Sequence, residues 1–106
     1  MSDMEEAKRL FFEALDFLDA NDYRSAELRL RDAVRFAPNS ISILTNLSTA
    51  LMQQHRPREA IAFAERAISV DPQSVEALLV MISCHAQGRD FDALLAACDR
   101  TIALDD

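Results

Sequence analysis

The chain has 106 residues, half of them hydrophobic and just over a quarter charged, which suits one globular domain with a modest core and excludes a disordered polypeptide. One glycine and three prolines leave few places for tight hairpin turns, while the abundant Leu, Ala, Arg and Glu favour helix, so an all-α chain is expected. A net charge of −7 argues against binding nucleic acid or an anionic membrane, because phosphate repels such a surface.

Six amphipathic runs follow in chain order, each with apolar residues at i, i+3, i+4 and i+7. Ser2 and Glu5 have the spacing of a capping box ahead of the first, "RLFFEALDFLDA". Three phenylalanines crowd that run, and its polar stripe is narrow: Glu13, Asp16 and Asp19. After the break "ND" comes "YRSAELRLRDAVRF", stopped by Pro38, which lacks a backbone donor. Ser40 is the expected N-cap of "SILTNLSTALMQQ". Past "HR", Pro57 suits the first position of "PREAIAFAERAISV", which Pro72 ends. Ser74 is expected to cap "VEALLVMISCHAQ", with Gly88 ending it in a left-handed conformation. Asp90 is expected to cap the last run, "FDALLAACDRTIAL".

These runs repeat at a spacing of 34 residues. Pro38 and Pro72 keep it, as do Leu10, Leu44 and Leu78, then Phe17, Leu51 and His85, then Tyr23, Pro57 and Phe91. Small or apolar residues recur at Ala26, Ala60 and Leu94, and at Ala33, Ala67 and Thr101. Small side chains let two antiparallel helices approach closely, so each unit is expected to be a helical hairpin. One hairpin cannot bury its apolar faces, but stacked neighbours can.

The pattern resembles the tetratricopeptide repeat. The family's small residue falls on Ala14 and Ser48, its alanines on Ala26, Ala60, Ala33 and Ala67, its aromatic on Tyr23 and Phe91, and its closing proline on Pro38 and Pro72. The third unit departs, with Ile82, Leu94, Thr101 and Asp106 at those places. The resemblance implies an all-α, right-handed α-solenoid of three antiparallel helical hairpins (six helices). It implies a single array over 1–106, with repeats at about 7–40, 41–74 and 75–106. The array lacks the polar-faced closing helix usual in the family, so a fragment of a longer array is expected. Leu95, Ile102 and Leu104 are then candidates for self-association through an uncapped last helix.

The resemblance also implies a concave groove lined by the first helix of each unit. Its side chains are Lys8, Phe11, Phe12, Leu15, Leu18 and Asp19, then Ser42, Thr45, Asn46, Thr49, Met52 and Gln53, then Glu76, Leu79, Val80, Ser83, Ala86 and Gln87. One cation and two anions give that groove a charge of −1, so the acidity lies mostly on the outer faces. Some members of the family hold a chaperone's C-terminal carboxylate with Lys, Arg and Asn here. Only Asn46 matches, because the cationic positions carry Phe11, Glu76 and Val80, and no such clamp is expected.

No catalytic constellation is legible, and no cofactor is expected. One glycine cannot build a phosphate-binding loop, Cys84 and Cys98 lie on different helices without metal-ligand spacing, and His85 occupies a packing position. His55 reads as a solvated turn residue. With no leader and no long apolar run, a cytoplasmic protein is expected. The function expected is protein binding, by a protein or peptide segment. Phe11, Phe12, Leu15 and Leu18 would be its apolar anchors, and Thr45, Asn46 and Thr49 its hydrogen-bonding groups. The alternatives are a substrate-positioning region of a larger enzyme, such as a protein O-glycosyltransferase, and a homo-oligomer paired through the first helix or the last.

Overall fold

The computed structural model describes residues 2–88. They form five helices: α1 (Asp3–Asp19), α2 (Tyr23–Phe36), α3 (Ile41–Gln53), α4 (Pro57–Val70) and α5 (Val75–Gly88), with no strand among the described residues. The sixth predicted helix, with Leu95, Ile102, Leu104, Cys98 and the Asp90 cap, lies outside them.

The starts follow local chemistry. Ser2, Ser40 and Ser74 accept hydrogen bonds from the backbone N–H groups of Glu5, Ile43 and Ala77, satisfying donors that the first helical turn leaves unpaired. Asp22 does the same for Ser25 at the start of α2. Helix α4 has Pro57 at its first position and no side-chain cap, because Arg56 stands where Asp22 stands one repeat earlier.

The turns inside the hairpins are a matched pair. Asn21 and His55, 34 residues apart, have φ of 59° and 60°. In the first turn the Asn21 N–H donates to Leu18 O at 3.0 Å and the Asp22 N–H to Phe17 O at 2.8 Å. In the second, His55 donates to Met52 O at 2.9 Å and Arg56 to Leu51 O at 3.0 Å. These two bonds, around one left-handed residue, make a Schellman C-cap. The expected left-handed glycine is absent: Gly88 is the last residue of α5, and no described glycine has positive φ. In the 34-residue spacing Gly88 matches Ala20 and Gln54, one place before the left-handed position.

Packing runs along the chain, α1 on α2, α2 on α3, α3 on α4 and α4 on α5, with α3 also touching α5. Ala14, Ala26, Ala33, Ala60 and Ala67 are completely buried at the close approaches. Ser48 shares that role, and its hydroxyl donates to Ala60 O across the α3–α4 hairpin. Leu30, Leu44, Leu47, Leu51 and Leu78 fill the space between hairpins. Leu10 is buried as the spacing predicts, and Phe17 is half-buried beneath the Arg29 guanidinium at 5.7 Å. No helix among the described residues is long and apolar enough to cross a membrane.

Candidate functional site

Helices α1 and α3 open the two described hairpins and α5 follows at the same spacing, and the side chains on these three helices make the candidate groove. Two bonds hold α3 and α5 together along it. Thr45 Oγ1 lies 2.8 Å from Glu76 Oε1 and donates to it, and Gln87 Nε2 donates to Met52 O at 2.9 Å. Each of these four residues was placed in the groove by sequence position alone.

The four apolar anchors divide by exposure. Phe12 is 62% exposed, which for an aromatic on a helix leaves most of the ring in water. Phe11 is half-buried against the core, with its ring centroid 6.1 Å from that of Phe12 at a tilt of 53°. Leu18 also rests partly on the core, and Leu15 is half-buried. Leu79, at the α5 position equivalent to Phe11, is 51% exposed.

The hydroxyl and amide groups behave less simply. Thr45 was expected to offer its hydroxyl to a partner, but it is only 2% exposed, and that hydroxyl also lies 2.8 Å from Ile41 O. Its acceptor is buried and its proton is engaged, so it serves the α3–α5 seam instead. Asn46 is half-buried, with Nδ2 donating to Ser42 O at 2.7 Å. Its second amide proton and its Oδ1 make no hydrogen bond among the described residues, so one donor and one acceptor remain. Thr49 Oγ1 bonds back to Thr45 O at 3.0 Å and keeps acceptor capacity.

A cleft of about 650 Å³ opens where the start of α1, the end of α2 and the start of α3 meet. Met4, Phe11, Phe36, Pro38 and Ile43 give it an apolar lining, and Asp3, Lys8 and Ser42 lie at its polar edge. Sequence reasoning identified Phe11 and Lys8 here but missed Met4 and Phe36. Met4 precedes the first repeat position, and Phe36 aligns with Val70 and Leu104 as if it were ordinary packing. The available signal was size: an aromatic at the end of α2 is too large for that place to cover, and it is 37% exposed.

Other titratable groups among the described residues take part in pairing and packing. Glu13, expected in a solvent stripe, pairs with Arg9 at 2.8 Å and with Arg29 of α2 at 3.0 Å. Burial pushes the Cys84 thiol up to about 11, with the Ser48 hydroxyl pulling weakly the other way, so it is not a thiolate nucleophile at neutral pH. His85 is half-buried, in keeping with its packing position. No group of three or more His, Cys, Asp or Glu among the described residues could hold a metal.

Comparison with known proteins agrees with this geometry. The tetratricopeptide repeat profile matches residues 45–106. No curated protein matches the sequence. Among solved structures, the first TPR of Spaghetti (RPAP3) bound to HSP90 peptide SRMEEVD is similar. It shares 13% identity over 94% of this chain and 79% of that one, with a TM-score of 0.89. The TPR2B domain of yeast Sti1 in complex with an Hsp70 peptide shares 22% over 95% of this chain and 81% of that one, at 0.90. The Arabidopsis OM64 TPR domain shares 14% over 97% and 85%, also at 0.90. At these identities the likeness is one of fold. From the profile match, the repeat spacing and the paired hairpins together, the chain belongs to the tetratricopeptide repeat family.

Proposed function

We propose that this chain is a non-catalytic module that binds a segment of a partner protein in the groove formed by α1, α3 and α5. The supporting observation is the continuous apolar surface at its N-terminal end. Half-buried Phe11 lines the 650 Å³ cleft, large enough for bulky apolar side chains, and exposed Phe12 and half-buried Leu15 follow it on α1. Aromatic rings give contact area at low entropic cost, which makes Phe12 and Phe11 the anchors, with Leu18 about two turns further along α1. Asn46 and Thr49 supply the polar contacts to the segment's backbone.

The array proposed is a right-handed solenoid of three repeats, at about 7–40, 41–74 and 75–106, with the run Phe91–Leu104 as its sixth helix. The similar structures whose titles name Hsp90 or Hsp70 peptides lend support to peptide binding as such. Their peptide chemistry does not carry over. Phe11, Glu76 and Val80 offer no cation to a terminal carboxylate, and the Glu76 carboxylate at the α3–α5 seam repels one. The preferred segment is apolar and internal.

Affinity measurement tests this. A peptide selected from a random display library against the full chain should bind at least about tenfold more weakly to Phe12→Ala, the loss typical of an aromatic anchor. Asn46→Ala should weaken it severalfold. The peptide SRMEEVD should show no saturable binding. Unchanged affinity in both variants would remove the groove assignment.

A further inference from the structure

The one strongly buried carboxylate among the described residues is out of step with the chain's own repeat. Glu27 of α2 is 7% exposed, whereas the residues 34 and 68 places on are Ile61 and Leu95. Ile61 does what the pattern asks and packs half-buried against the core. Arg56 breaks the pattern as well. The residues 34 before and 34 after it are Asp22 and Asp90, and Asp22 caps its helix while Arg56 leaves α4 without a side-chain cap. The two exceptions meet. Arg56 Nη1 lies 2.7 Å from Glu27 Oε1, Gln54 Nε2 donates to the same oxygen at 3.0 Å, and Arg31 Nε donates to Glu27 Oε2 at 2.7 Å. Arg31 then continues to α4, reaching Glu59 at 3.3 Å and lying 5.3 Å above the Phe63 ring.

We propose that Glu27 and Arg56 form a lock that fixes the register in which the first hairpin packs on the second. The short link of residues 37–40 makes the second hairpin the neighbour of the first, but faces of leucine and alanine are non-directional and specify the register of that packing poorly. A buried carboxylate is discriminating: it is tolerated only where a cation and hydrogen-bond donors await it, and is costly elsewhere. Giving up the cap of α4 is the local cost of an arginine that reaches Glu27 from the second hairpin. By fixing how α1–α2 sits on α3–α4, the lock also fixes Phe11 and Phe12 relative to Asn46.

The test restores the repeat pattern in the full chain with Glu27→Ile, Arg56→Asp and the double variant. Arg56→Asp alone puts a second carboxylate against Glu27, and its Tm should fall by at least about 10 °C. Glu27→Ile alone leaves Arg56 paired with Glu59, and should lower Tm by less than about 5 °C. The double variant should return to within about 5 °C of the parent. Stability alone does not report how firmly the hairpins are coupled, so amide hydrogen exchange is read in parallel. In the parent, the slow amides of α2 and α3 should open together. In the double variant, those of α1 and α2 should exchange at least about tenfold faster than those of α3 and α4, although Tm has recovered. Additive losses of Tm, or a double variant whose hairpins still open together, would overturn the lock.

Discussion

Glu27 shows how a single residue can depart from its own repeat and still be well placed. Burial works to raise the pKa of its carboxyl, but the hydrogen bonds from Arg31, Gln54 and Arg56 outweigh that and hold it below the ordinary 4.5. Because the folded-state value lies below the unfolded one, the stabilisation is complete above about pH 4.5 and is lost as pH falls through the folded value. The groups facing it are Arg31 on α2, Gln54 and Arg56 in the turn, and Glu59 on α4, next to both arginines. Thermal unfolding of the parent should therefore lose stability with acid more steeply than that of Glu27→Gln as pH falls below 4.5, and a pair of parallel curves would contradict this. The sequence did not reveal Glu27, because a glutamate on an amphipathic helix reads as solvated until its neighbours are known. Thr45 failed for a related reason. Its groove position was legible, but whether its hydroxyl faced a partner or Glu76 depended on the spacing between α3 and α5.

The helices themselves were more legible than their joints. Serine caps and prolines act through local backbone chemistry, so Ser2, Ser40, Ser74 and Pro57 do in the structure what their positions imply. The left-handed residues were not legible as such, since the one glycine drew attention to the wrong turn position while Asn21 and His55 held the real ones. Asparagine accepts that conformation readily, and histidine does so at a steric cost that glycine lacks. Replacing His55 by glycine should raise the stability of the α3–α4 hairpin by about 0.5–1 kcal/mol in chemical denaturation. A loss instead would mean that the imidazole contributes something beyond its backbone angle. The same replacement at Asn21 should gain less, because the Tyr23 hydroxyl donates to Asn21 Oδ1 at 2.9 Å.

At the scale of the whole molecule, a period of 34 residues was enough to give hairpins, core and groove, because each repeat buries its neighbour through the same few positions. What the period cannot give is the asymmetry on which binding depends. It assigns Phe11, Thr45 and Leu79 the same place, yet one borders a cleft, one is sealed against Glu76 and one stands in water. Nor does it foresee the cleft beside Phe11, which Met4 completes from outside the repeated positions and Phe36 from a repeated position that carries a smaller residue in the later units. The apolar end of the groove thus depends on which residue fills each repeated position, and on Met4 ahead of the first repeat, and it is the surface on which the functional proposal rests. The most direct measurement is a titration of isotope-labelled full-length chain with the display-selected peptide, followed by amide and methyl NMR shifts. Shifts concentrated on Phe11, Phe12, Leu15, Asn46 and Ile43 are the predicted result. Shifts confined to the outer faces of α2 and α4, with α1 and α3 unmoved, would contradict it.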